Sequence, residues 1–274
     1  MIEDYLNVKG GQIYYKVSGI GEPLILIHGN FNDRRIWDEQ IAVFSSLYTT
    51  IRYDLRGYGL SSTPSAPFSN VEDLKALVDA LDLPSVTLIG SSLGGGVAID
   101  FALAYPHLVR SLILVSPSIN GHPYPIRMMW QGIKNYMNVR LKGHERAIES
   151  FIANPFWQYF FPSTQKELAR GSVLDNVRTI SNFCQFSPSL SVASKPCAIN
   201  RLHEISIPAL IVISDEDHPF NIKTADILHQ GIELSSKMMM QHCGHLPFIE
   251  EPQQFNRSVL NFLSSSKVSM TKNR

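Results

Sequence analysis

Short apolar runs rich in Ile, Leu and Val recur along this chain, each bounded by turn residues, and longer stretches of helical period lie between them. The runs are 24–27, 49–53, 86–89, 112–115 and 209–213, with one more at 238–241. A strand that is apolar at successive positions is covered on both faces, and helices packed above and below a parallel sheet supply that cover. In 71–81, Val71, Leu74, Leu77, Val78 and Leu81 fall on one helical face, and 97–108 reads the same way. The expected fold class is α/β, a mostly parallel sheet with helices on both faces.

A chain of 274 residues can bury one large core without metals or disulfides. Lys and Arg number 24 and Asp and Glu 24, so no basic excess exists to neutralise a phosphate backbone, and no nucleic-acid partner is expected. With 44% hydrophobic and 18% charged residues, the composition is that of a globular protein. Cys184, Cys197 and Cys243 are odd in number and lack C-x-x-C spacing, which argues against a disulfide framework and against a metal site and favours the cytoplasm. The first residues, Met1-Ile2-Glu3-Asp4-Tyr5, start acidic and do not read as a secretory signal, so the mature chain is expected to begin at Met1. No apolar run nears the roughly 18 residues of a membrane-spanning helix, and no membrane partner is expected.

The rhythm breaks between 119 and 203, where prolines and aromatic residues accumulate without an apolar strand, as in Phe156-Trp157-Gln158-Tyr159-Phe160-Phe161. It resumes at Ile207. The expected organisation is a core of 1–118 and 204–274 with a helical lid, 119–203, inserted into it; long excursions from a compact domain are usually functional. The polar stretch 264–274 is expected to fray.

Gly90-Ser91-Ser92-Leu93-Gly94 follows the run 86–89 directly and precedes a helical stretch. That is the strand-turn-helix setting of a nucleophile elbow, with Ser92 at its centre and glycine where neighbouring backbone comes close. A serine hydroxyl attacks a carbonyl at neutral pH only with a base to take its proton, and the base needs an acid to fix its tautomer. His245, in the loop after the last strand, is the candidate base, with His242 its nearest rival. Asp217 is the candidate acid and Asp215 the second choice, both at the C-terminal end of the run 209–213, where sites form in α/β sheets.

Ser92, Asp217 and His245 stand in the order Ser, Asp, His, and the chain resembles the α/β-hydrolase superfamily over nearly its whole length. Two further segments carry the resemblance: Leu26-Ile27-His28-Gly29-Asn30-Phe31, and Asp54-Leu55-Arg56-Gly57-Tyr58-Gly59-Leu60-Ser61. The resemblance implies an α/β-hydrolase fold of about eight strands, with the three side chains converging at the C-terminal ends of the strands. It implies an oxyanion hole made by the backbone N–H groups of Asn30 and Leu93, with Phe31 as the alternative to Asn30. His28 and the Asp54 to Gly59 turn are expected to be structural, and Cys243 buried and inert. Relatives that displace at carbon carry aspartate where Ser92 stands, so addition to a carbonyl is expected here.

The function so implied is cleavage of a small carboxylic ester or lactone through an acyl-enzyme, with a small-molecule substrate and no cofactor. Phe31, Ser91, Phe156, Trp157 and Phe160 are the expected substrate-binding residues, because aromatic side chains suit both roof and pocket. Two alternatives stand. Carbon–carbon bond hydrolysis of a dienoate ring-cleavage product would call on cationic lid groups such as Arg127, Arg140 or Arg178. A hydrolase-fold receptor would bind a small molecule and turn it over slowly.

Overall fold

The computed structural model describes residues 2–272, with side chains for 2–266. Eight strands form one sheet: β1 (Ile2–Val8), β2 (Gly11–Ser18), β3 (Glu22–Ile27), β4 (Tyr48–Tyr53), β5 (Val86–Ser91), β6 (Val109–Val115), β7 (Ala209–Ser214) and β8 (Ser235–Met240). Their spatial order is β1-β2-β4-β3-β5-β6-β7-β8. β1 and β2 form an antiparallel hairpin, β2 runs antiparallel to β4, and every later neighbour is parallel.

The hairpin β1–β2 has no counterpart among the apolar runs, because β1 lies at the sheet edge and is exposed along most of its length. Such a strand needs no continuous apolar side. The central strands behave in the opposite way: every residue of β5 and β7 is buried. Alternation then sorts their side chains into two cores. Ile25 and Ile27 join the core beneath α2 (Asn70–Ala80), α3 (Leu93–Ala104) and α7 (Pro219–Gly231), whereas Leu24 and Leu26 join that beneath α1 (Asp38–Phe44) and α9 (Pro252–Lys272).

Between β6 and β7 the chain forms α4 (Ile126–Lys142), α5 (His144–Ile152), a 3₁₀ turn at Pro155–Phe160 and α6 (Glu167–Arg178), with short turns up to residue 204. Most buried residues of this stretch, Phe151, Trp157, Val173 and Phe183 among them, are continuous with the α1/α9 core, whereas Ala198 and Leu202 join the other. Asp33 ties it to the sheet: its N–H donates to Asn176 Oδ1 (3.0 Å), and its carboxylate accepts from Asn182 (2.8 Å).

Several boundaries differ from expectation, three of them instructive. α3 starts at Leu93, not 97, so Gly94, Gly95 and Gly96 are helical in spite of their low propensity. A Cβ on Gly94 would strike the carbonyl oxygens of Ile27 and His28, so the helix approaches β3 as closely as only glycine permits. β8 begins three residues before the apolar run. The tail expected to fray is helical through Lys272, as the last part of α9, while Asn273 and Arg274 lie outside the described residues. No helix among the described residues is long and apolar enough to cross a membrane.

Candidate active site

Ser92 sits between β5 and α3 with φ 52° and ψ −114°, a backbone conformation that costs a non-glycine residue energy and is held by its surroundings. The surroundings are backbone. Ser92 N–H donates to the carbonyl of Val115 (2.9 Å), and its own carbonyl accepts from the N–H groups of Gly96 (3.2 Å) and Ser118 (3.0 Å). A Cβ on Gly90 would meet the backbone of Gly94, and one on Gly29 would lie 2.9 Å from Ser92 Cβ. The elbow is thus wedged between the ends of β3 and β6, at the N-terminus of α3, where the helix dipole favours negative charge.

His245 pairs with Asp217 and shares a cavity with Ser92. His245 Nδ1 lies 3.0 and 3.1 Å from the two carboxylate oxygens of Asp217, and both residues are buried. Burial raises the Asp217 carboxyl, but the adjacent His245 ring and hydrogen bonds from His245 and Asn221 outweigh it, and the net shift is downward. Asp217 is therefore a carboxylate at neutral pH, fit to hold Nδ1–H and leave Nε2 free as a base. Its Oδ1 also accepts from the His218 N–H (2.6 Å) and the Asn221 amide (2.7 Å).

The rivals stand elsewhere. Asp215 is exposed, and its Oδ1 accepts from the Cys243 N–H (3.4 Å), lacing the acid loop to the histidine loop. His242 is exposed with φ 57°, and its carbonyl accepts from Lys166 Nζ (2.7 Å). Cys243 is buried, and burial pushes its thiol up to about 11, which leaves it protonated at neutral pH.

A cavity of about 340 Å³ opens over Ser92 and His245. Asn30, Phe31, Trp157, Tyr159 and Phe160 line it, with Met128 and Met129 of α4. Phe31 has φ 64° and packs against Phe151 (ring centroids 4.7 Å), Phe183 (5.3 Å) and Phe160 (5.9 Å). Among the described residues, no Lys, Arg, Asp or Glu lines the cavity.

Two of the expected substrate-binding residues are outside it. Ser91 is the last residue of β5 and points into the core, where its Oγ has no hydrogen-bond partner among the described residues; a strand alternates sides, so the neighbour of Ser92 faces away. Phe156 is edge-on to Trp157 (4.9 Å, 88°) and backs it from outside, under the guanidinium of Arg127 (5.5 Å). Arg127, Arg140 and Arg178 are likewise absent from the cavity wall.

Sequence reasoning missed Asn221 and Tyr159. Asn221 is four residues past Asp217, on the first turn of α7, a spacing that returns its amide to the acid. Tyr159 works through its backbone: its carbonyl accepts the His245 N–H (2.8 Å), and a Cβ on Gly244 would press against that same oxygen at 2.6 Å. No sequence signal marks a carbonyl partner of this kind.

His28 and Asp54 are structural, as expected. Leu55 N–H donates to His28 Nε2 (2.9 Å), so Nδ1 carries the proton and donates to the Gly29 carbonyl (2.8 Å). Burial lowers the His28 pKa in keeping with that neutral ring. Asp54 accepts from the Arg34 side chain (2.7 Å), from the Arg34 N–H (2.8 Å) and from the Leu60 N–H (2.9 Å), which shapes the turn.

A strained serine between strand and helix, a histidine paired to a buried aspartate, and a mostly parallel eight-stranded sheet define a hydrolase of the α/β class. The family described as alpha/beta hydrolase fold matches residues 22–252, and the chain belongs to it. Among proteins similar in sequence is a 2-hydroxy-6-oxononadienedioate/2-hydroxy-6-oxononatrienedioate hydrolase of Paraburkholderia phymatum, 29% identical over 94% of this chain and 94% of that one. Similar solved structures include a thermophilic esterase from Thermogutta terrifontis, with TM-score 0.82 and 20% identity over 97% of this chain and 99% of that one. An enol-lactonase from Burkholderia xenovorans matches with TM-score 0.78 and 18% identity over 95% and 100%. These structural likenesses speak to the fold.

Proposed function

We propose that the chain cleaves a small carboxylic ester or lactone through an acyl-enzyme, in a site roofed by the 119–203 segment acting as a lid. Ser92 Oγ attacks the carbonyl carbon while His245 takes its proton, and Asp217 holds the ring and balances the imidazolium. The backbone N–H groups of Asn30 and Leu93 hold the oxyanion, each such donor being worth about 3 to 4 kcal/mol in acyl-transfer sites. As the tetrahedral intermediate collapses, His245 returns the proton to the leaving alkoxide; water then attacks the acyl-serine by the same route and releases the acid. The aromatic wall keeps bulk water from the donors and strengthens them.

The observation that carries this reading is the wall itself, which joins Ser92 and His245 to apolar and neutral side chains with no Lys or Arg among the described residues. A neutral ester or lactone fits such a lining. The Paraburkholderia relative favours a second reading, carbon–carbon bond hydrolysis of a dienoate, but its name specifies a dicarboxylate. A dianion would enter this cavity without a cation to replace its hydration, which is costly.

A panel of neutral aryl esters, lactones, thioesters and a dienoate diacid, run on the wild type and on Ser92→Ala, separates the two. The ester reading expects neutral substrates to turn over at about one per second or faster, with the dienoate far behind and Ser92→Ala inactive on all. The reverse ranking would establish the carbon–carbon reading. Slow turnover of every member, with a ligand-dependent rise in Tm, would point to a receptor on this fold.

A further inference from the structure

We infer that the outer face of α4 docks on an anionic lipid–water surface. α4 is buried on one side, through Met128, Asn135 and Val139. On the opposite side the helix is apolar and open: Ile126 is 74% exposed, Trp130 65%, Ile133 50%, Met137 49% and Leu141 74%. At 100° per residue these five fall within about 80° of one another on the helix surface. A monomer in water gains nothing by presenting such a stripe, and contiguous exposed apolar surface of this kind marks an interaction site.

The charges on α4 say what the partner is. The helix carries Arg127, Lys134, Arg140 and Lys142 and no Asp or Glu. Lys134 and Arg127 border the stripe on one side and Arg140 on the other. None of the four pairs with a carboxylate among the described residues. Arg140 and Lys142 lie in the last turn, where the helix dipole also favours them, but Arg127 lies in the first turn, where the dipole opposes a cation. Arg127 lies on the Phe156 ring and Arg140 donates to the Tyr136 hydroxyl, but both keep their charge without a carboxylate, and an apolar stripe with Trp flanked by such cations is the pattern of a helix that lies in the plane of an anionic interface. A second copy of this chain would set the same cations against one another. Contact of this kind needs no membrane-spanning helix. Because Met128 and Met129 of the same helix line the cavity, docking would bring the cavity close to the lipid phase.

Trp130 provides the readout, since the other two tryptophans, Trp37 and Trp157, are buried. The full chain is titrated with vesicles of phosphatidylcholine containing phosphatidylglycerol, and with phosphatidylcholine alone. Tryptophan emission is expected to shift to the blue with the anionic vesicles, and the protein to sediment with them in a manner weakened by salt. Trp130→Phe should lose the optical shift and keep sedimentation. Lys134→Glu combined with Arg140→Glu should weaken binding at least about tenfold, and Ile133→Glu with Met137→Glu should abolish it. Each variant is checked for unchanged Tm and unchanged hydrolysis of a water-soluble ester. Absence of binding to anionic vesicles, or equal binding to both kinds without salt dependence, would overturn the inference. So would a concentration-dependent dimer that Ile133→Glu dissolves, which would assign the face to a second copy.

Discussion

At Ser92 the chain is held by backbone, and at Trp157 it is held by rings. The elbow is fixed by N–H and carbonyl partners from β6 and α3 and by glycines whose neighbours leave no room for a Cβ. Across the cavity, Trp157 lies among Phe31, Phe151 and Phe156 at centroid separations of 6.2, 5.2 and 4.9 Å, contacts that another set of apolar side chains could supply. Backbone cannot be repacked, whereas rings can. In the proposed reaction, the rigid part would fix one hydroxyl and two N–H donors, and the aromatic part would set the choice of substrate.

The largest expected effect falls on the rigid side. Asp217→Asn should lower turnover by about four orders of magnitude with little change in Tm, because the amide favours the wrong imidazole tautomer. Asp215→Asn, which touches only the loop lacing, should leave kcat within a few-fold of wild type. If the two exchange places, the acid is Asp215 and the loop geometry has been misread.

Next in size is Gly94→Ala. The added methyl would meet carbonyl oxygens of β3, which cannot give way, so a stability loss of about 4 kcal/mol or more is expected, in the range of exceptional substitutions. Chemical denaturation measures it. A loss below about 1 kcal/mol, the centre of the distribution for ordinary substitutions, would mean that the elbow is softer than its contacts imply.

Trp157→Ala and Phe156→Ala sharpen the comparison on the soft side. Both remove rings from one aromatic group, so both should destabilise, Trp157 by about 3 kcal/mol as for buried aromatics and Phe156, half-buried, by less. Only Trp157 lines the cavity. Its loss should therefore reorder KM among esters of different acyl size, while Phe156→Ala should leave that order intact. Equal effects on selectivity would show that the aromatic group acts as one packed unit.

The smallest effect is expected at Ser91. Its Oγ is buried without a partner among the described residues, so Ser91→Ala should be neutral or raise stability by up to about 1 kcal/mol, with kcat unchanged.

The central parallel strands and the order of Ser92, Asp217 and His245 were legible because continuous apolar runs and strand-turn-helix glycines are local patterns. The β1–β2 hairpin was not legible, since an exposed edge strand buries too little to need an apolar run. The early start of α3 was hidden by three glycines that read as loop until the backbone at the end of β3 is seen against Gly94, and Pro117 and Ser118 against Gly95 and Gly96. Within the site, direction was the missing quantity. Phe156 and Trp157 are adjacent in sequence, and only the geometry of the turn sends one ring to the cavity and the other behind it. Asn221 was within reach of a four-residue spacing argument, whereas the Tyr159 carbonyl was not.

The central claim is that Ser92 is the nucleophile of an acyl-enzyme. Treatment with a fluorophosphonate probe, followed by intact-mass and peptide mapping, tests it most directly. One covalent adduct on Ser92 is expected in the wild type, none in Ser92→Ala, and much slower labelling in His245→Ala. Labelling that persists unchanged in Ser92→Ala, or that maps to another residue of the wild type, would contradict the account.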